Sequence, residues 1–111
     1  MSSTEDGRRA EELVAEELKN KGHKILAMNW RTRRCEIDIV SKKKNTVHFT
    51  EVKYRNSSSW GSGFDYITPK KIKQMRFAAQ MWAAIENWDG KMVLNATEVD
   101  SSNGVEIIEL T

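Results

Sequence analysis

Apolar positions along the chain change period several times, and each change marks an element. Ala10, Leu13, Val14 and Leu18 recur at the spacing of one helical face. A helix is therefore predicted from Asp6, with Gly22 as its stop signal. Residues 23–30, HKILAMNW, read as a short apolar strand. Residues 36–40 and 46–55 read as two more, and the polar stretch 41–45 between them suits a tight hairpin in which Asn45 takes positive φ. The Ser- and Gly-rich run 56–64 reads as a mobile loop carrying Trp60 and Phe64, two aromatic residues expected to cap the core or to stack on an unpaired base. Thr68 and Pro69 then open the longest helix as N-cap and first helical residue. Its apolar residues fall into two stripes, Ile72, Met75, Ala79, Trp82 and Ile85, and Phe77, Met81, Ala84 and Trp88. Such breadth predicts last turns with little exposed surface, or a dimer contact, before a stop near Gly90. Residues 91–99 and 105–110 complete the pattern as two strands joined by a turn over 100–104.

The chain is read as one domain over residues 1–111, long enough to bury roughly two thirds of its unfolded surface. A single cysteine, Cys35, leaves no internal disulfide framework and no cysteine cluster for zinc, which fits a reducing compartment. No apolar run approaches the ~20 residues of a membrane span, and the polar amino end carries no signal-peptide core. A cytoplasmic location away from membranes is expected. The net charge of +2 conceals an uneven distribution: −2 over residues 1–22, +6 over 23–56, +3 over 57–80 and −5 over 81–111. A phosphate-rich partner is drawn to the basic middle, although basic runs of this kind also serve only to solubilise loops.

Candidate chemistry sits inside that basic region. In a strand, Glu51 and Lys53 share a face and Val52 points the other way. A hairpin centred on Lys44 and Asn45 sets Asp38 opposite Glu51, with Cβ atoms roughly 5 Å apart. Two carboxylates that close repel unless a cation lies between them. Mg²⁺ or Mn²⁺, which accept hard oxygen ligands, would suit the pair, and Lys53 would stand beside a metal-activated water. The plainer alternative is a solvated ion pair between Glu51 and Lys53. Glu11 borders the apolar face of the first helix and reads either as a boundary carboxylate or as a further group near the metal. Glu36, by parity, shares the face of Asp38. Arg31, Arg34 and Arg55 are candidate contacts to nucleic-acid phosphates. Lys70, Lys71 and Lys73 join them, because cations at the positive end of a helix dipole are locally unfavourable until an anion binds.

The separated motifs Gly7-x-x-Ala10-Glu11, Asn29-Trp30-Arg31, Glu36-Ile37-Asp38, Glu51-Val52-Lys53-x-Arg55 and Ile67-Thr68-Pro69-Lys70-Lys71, in this order, resemble the YraN-like family of small bacterial proteins. That family is grouped with PD-(D/E)xK, restriction-endonuclease-like and Holliday-junction-resolvase-like nucleases. The resemblance implies an α/β fold, with a central mixed sheet in an αβββαβ core flanked by helices. It also implies a Mg²⁺-dependent nuclease acting on structured or branched DNA, in which Asp38, Glu51, the Val52 carbonyl and Glu11 hold the metal and Lys53 assists the attacking water. Two positions depart from the family pattern, Cys35 and Ala10, each standing where glycine is usual. Two other functions fit the same residues: a nucleic-acid-binding module that does not cleave, and an interaction subunit that dimerises or docks a partner through the helix carrying Trp82 and Trp88.

Overall fold

The computed structural model describes residues 2–55 and 64–110. Its elements run α1 (Ser2–Asn20), β1 (Lys24–Arg31), β2 (Glu36–Lys43), β3 (Thr46–Arg55), α2 (Pro69–Glu86), β4 (Lys91–Asp100) and β5 (Val105–Glu109). The five strands form one mixed sheet in sequence order. β1, β2 and β3 pair antiparallel, β4 lies parallel to β3, and β5 returns antiparallel to β4. A parallel neighbour needs a crossover, and α2 supplies it. The expected mixed α/β architecture is thus present, with β5 extending the αβββαβ order by one strand. No helix among the described residues is long and apolar enough to cross a membrane.

Each helix covers one face of the sheet. Ala10, Val14, Ala15 and Leu18 of α1 pack with Ile39 and Val99. Met75, Ala78, Ala79, Trp82 and Ala83 of α2 pack with Ile37, Val40, Val47, Phe49 and Leu94 on the other side. Trp82 meets Phe49 edge to face, with ring centroids 5.5 Å apart. The buried face of α2 is narrower than its composition suggests. Phe77 and Ile85 are exposed, and Trp88 lies beyond the helix, partly buried, with Lys42 Nζ 5.0 Å from its ring. Fewer apolar positions are covered because a helix on a sheet meets it along one line, which Met75, Ala78, Ala79, Trp82 and Ala83 fill, leaving Ile85 of the first stripe and Phe77 of the second outside it.

Local chemistry sets the ends of the elements. Gly22 adopts φ 97° just past α1, a conformation that is costly for residues with a Cβ, and His23 N–H donates to Leu18 O. Thr68 caps α2, its Oγ1 accepting from Lys71 N–H at 3.1 Å ahead of Pro69. The helix stops at Glu86 rather than near Gly90, because Asn87 turns left-handed and Trp88 N–H bonds back to Ala83 O. In the β2–β3 hairpin the residue with positive φ is Lys44, at 56°, and not Asn45. The run 56–63, with Trp60, lies outside the described residues.

Candidate functional site

Register carries Asp38 to Glu51, and the chain then departs from regular pairing. The β2–β3 ladder ends at Ile39 opposite Thr50, and the same register continued one step sets Asp38 against Glu51. Instead of extending the ladder, Asp38 turns its own Oδ2 to the Val52 N–H, which donates to it at 2.8 Å. On the other side of β2, Asn29 stands across from Asp38 between the Met28–Ile39 and Trp30–Ile37 pairs, in the left-handed region at φ 52°. Ile39 packs toward α1 whereas Ile37 packs toward α2, so the two-residue repeat does not hold across Asp38. The parity that would put Glu36 on the face of Asp38 fails for that reason.

Around this break the acidic side chains gather. Asp38 is held well above its ordinary 3.8, at about 7, first by burial and then by the charge of Glu51, with further contributions from Glu11 and Glu36. The Val52 N–H acts the other way by stabilising the carboxylate. Glu11, on α1, accepts a hydrogen bond from Asn29 Nδ2 at 3.0 Å, which ties the first helix to the same break. Glu51 Oε2 pairs with Lys71 Nζ at 3.0 Å, and this ammonium from the first turn of α2 stands where a cation would serve the carboxylate. Asp38 Oδ1 and Glu51 Oε1 accept no hydrogen bond among the described residues. These oxygens are hard donors suited to Mg²⁺ or Mn²⁺. No group of three His, Cys, Asp or Glu side chains among the described residues is drawn together closely enough to hold a metal ion. Two such donors would suit a divalent cation only if it kept several waters.

Lys53 is exposed, with Nζ 5.9 Å from the centre of the Tyr66 ring. Tyr66 was not singled out by any sequence pattern. Its hydroxyl donates to Thr97 O at 2.9 Å, and burial together with the charge of Glu51 pushes its ionisation upward, so it remains a neutral phenol beside the acidic groups.

A cleft of about 820 Å³ opens between the β1–β2 connection and the start of α2. Six basic residues line it, Arg31, Arg33, Arg34, Lys70, Lys71 and Lys73, against the acids Glu36 and Glu51. The turn is held by Thr32, whose Oγ1 accepts from Arg34 N–H at 3.0 Å and Cys35 N–H at 3.3 Å, fixing where the arginines stand. Phe77, from the second apolar stripe of α2, also lines the cleft as an exposed aromatic. Arg55 is placed differently from the other basic candidates. Its Nε donates to Glu98 and its Nη2 to Asp65, both at 2.8 Å, so its charge is committed to joining β3 to β4 and to the approach to α2. Arg55 is not among the residues that line the cleft.

The family model described as uncharacterised protein family UPF0102 matches residues 10–108. A UPF0102 protein of Pseudomonas fluorescens strain Pf0-1 is 37% identical over 86 residues, 78% of this chain and 72% of the relative. Another, from Syntrophomonas wolfei, is 43% identical over 72 residues, 65% of this chain and 63% of the relative. A third, from Pseudomonas fluorescens strain Pf-5, is 33% identical over 107 residues, 95% of this chain and 87% of the relative.

Proposed function

The chain belongs to the uncharacterised protein family UPF0102, the YraN-like family of the sequence resemblance, and we propose that it is a Mg²⁺-dependent nuclease that hydrolyses phosphodiester bonds in structured or branched DNA. One observation carries this reading. A carboxyl held near 7 by burial and by a second carboxylate stands at a break between two strands, and that second carboxylate lines a cleft rich in arginine and lysine. Two carboxylates this close disfavour each other's ionised form, and a divalent cation beside a polyanion would offset that cost.

Asp38, Glu51 and the Val52 carbonyl would hold the cation, with Glu11 connected through Asn29. When bound, it supplies Lewis-acid chemistry that lowers the pKa of water and offsets charge on the phosphate. Arg31, Arg33 and Arg34 on one wall and Lys70 and Lys73 on the other grip the backbone on either side of the scissile phosphate. Thr68 keeps the first turn of α2 ordered, so its free N–H groups and its lysines face the same anion. Lys53 lies on the strand just beyond Glu51 and donates to a phosphate oxygen as negative charge grows there. Lys71 pairs with Glu51 at 3.0 Å, and its ammonium would also serve a phosphate in the same cleft.

The test is cleavage of labelled four-way junctions, flaps, single strands and RNA by the purified chain with Mg²⁺ or Mn²⁺. Metal-dependent cutting that disappears in Asp38→Ala and Lys53→Ala, each with an unchanged circular dichroism spectrum, is the expected result. Absence of cutting on all four substrates would overturn the enzyme reading. A second reading, a binding module that does not cleave, is favoured by the Glu51–Lys71 pair, which already satisfies one of the two carboxylates. It predicts salt-sensitive binding that survives Asp38→Ala with no turnover.

A further inference from the structure

His48 precedes Glu51 on β3 by three residues and faces the opposite side of the sheet, toward α1, where a second cavity of about 420 Å³ opens at the hairpin end. His23, His48 and Asn95 form its polar wall. The His23 ring stands edge-on to His48 with centroids 4.6 Å apart, and its Nδ1 lies 2.9 Å from Ser41 Oγ. His48 Nδ1 accepts from Asn95 Nδ2 at 3.1 Å, and the same amide nitrogen reaches Thr50 Oγ1 at 3.4 Å. Both histidines thus engage the protein through Nδ1 and leave Nε2 for something else. Asn95 is 2% exposed, and its Oδ1 has no hydrogen-bond partner. Turning the amide by half a rotation lets Oδ1 accept from the His48 ring and the Thr50 hydroxyl, but then Nδ2 is left over. In either orientation one polar end of a buried amide lacks a partner at the cavity, and buried polar groups are seldom left that way.

The charge around this wall selects the kind of ligand. Lys21, Lys43 and Lys44 line the cavity against a single acid, Glu109. Lys21 is paired with Glu17 at 3.7 Å, whereas Lys43 and Lys44 form no ion pair among the described residues. No trio of metal-ligating side chains gathers there among the described residues, and the lysines oppose a cation.

We propose that this cavity is a binding site for a phosphate-class oxyanion, gripped by the Nε2–H groups of His23 and His48, the free end of the Asn95 amide, and the ammonium groups of Lys43 and Lys44. The proposal is independent of the nuclease reading, because the two sites lie on opposite faces of the sheet and share no residue. His23 is held below its ordinary value, at about 4, by burial and by the charges of His48, Lys43 and Lys21, and His48 is held below its own by burial, with Glu109 and the Asn95 hydrogen bond acting the other way. A bound anion adds negative charge beside both rings and so favours their protonated forms. Protonated His48 then donates from both nitrogens, to the turned Asn95 Oδ1 and to the ligand.

Ring signals of His23 and His48, followed by NMR, test this during titration with inorganic phosphate, with a terminally phosphorylated dinucleotide, and with the same dinucleotide unphosphorylated. The expected result is a saturable shift of both rings with a phosphate-bearing probe, accompanied by a rise in their apparent pKa. Response to inorganic phosphate identifies a free ion as sufficient, and response to the phosphorylated dinucleotide alone identifies a nucleic-acid terminus. The double variant Lys43→Gln with Lys44→Gln, altered only at the exposed hairpin tip, should weaken that binding about tenfold or more. Lys71→Gln, in the other cleft, should leave it unchanged. Silence of both rings toward both phosphate probes would overturn the proposal, as would a response to Zn²⁺ without one to phosphate, or binding unaffected by the hairpin variant.

Discussion

Asp38 reaches across from β2 to take the Val52 N–H of β3 on its own carboxylate, at 2.8 Å, one step beyond the last regular pair of the ladder. A side chain has replaced a backbone acceptor. The two strands separate there, and the carboxylate remains in a place that resists its ionisation.

Ionising Asp38 in the fold costs stability. In the unfolded chain it ionises near 3.8 and in the folded chain near 7, so stability falls as pH rises between these values and the full cost is present above the upper one. Asp38→Asn, which keeps an acceptor for Val52 N–H, should therefore be more stable than the parent at pH 8 by about 2–4 kcal/mol. The difference should vanish toward pH 4. Urea unfolding at both pH values in chelator-treated buffer measures it, and equal stabilities at pH 8 would contradict the cause assigned here.

Lys71 competes for the carboxylate that a cation needs. Lys71→Gln should tighten Mg²⁺ binding by up to about fivefold, the range expected for losing a half-exposed ion pair. Calorimetric titration with Mg²⁺ reads this directly, and weaker binding in the variant would show that Lys71 supports the site rather than blocking it.

Arg31 and Arg55 make a matched pair of opposite expectation. Arg31→Ala removes a cleft charge and should lower both nucleic-acid affinity and the salt dependence of binding, by about one unit of slope. Arg55→Ala breaks contacts to Glu98 and Asp65, so it should lower the melting temperature while leaving that slope unchanged. Binding measured across a salt series, beside thermal melts, separates the two.

Asn29 combines a left-handed backbone with a hydrogen bond to Glu11. Asn29→Gly retains the backbone freedom and loses the bond, whereas Asn29→Ala loses both. The alanine variant should be the less stable of the two, by about 1 kcal/mol. Both should reduce metal-dependent cleavage equally if Glu11 matters through this contact, and unfolding curves with cleavage rates for the two variants decide it.

Much of this molecule was legible from neighbouring residues. Thr68 ahead of Pro69 announced the start of α2, and the polar 41–45 stretch located a hairpin whose register brings Asp38 to Glu51. Other features escape local pattern because they depend on what lies across the fold. Phe77 and Ile85 belong to the apolar pattern of α2 but find no sheet to cover them, and Asn45 yields the positive φ to Lys44. Tyr66, His23 and His48 left no periodic trace, since a hydroxyl or an imidazole acquires its role only from the group opposite.

The amino-acid order by itself determined the elements, the mixed α/β class and the approach of two acids across a hairpin, because periodicity, caps and turns act between residues a few positions apart. Only the tertiary structure decided that the ladder stops at Asp38, that Lys71 answers Glu51, and that Arg55 is taken by Glu98 from a strand 43 positions away. Those outcomes follow from the parallel pairing of β3 with β4 and from the way α2 crosses over the sheet. Electrostatic partners are chosen by distance in space, which no local pattern records.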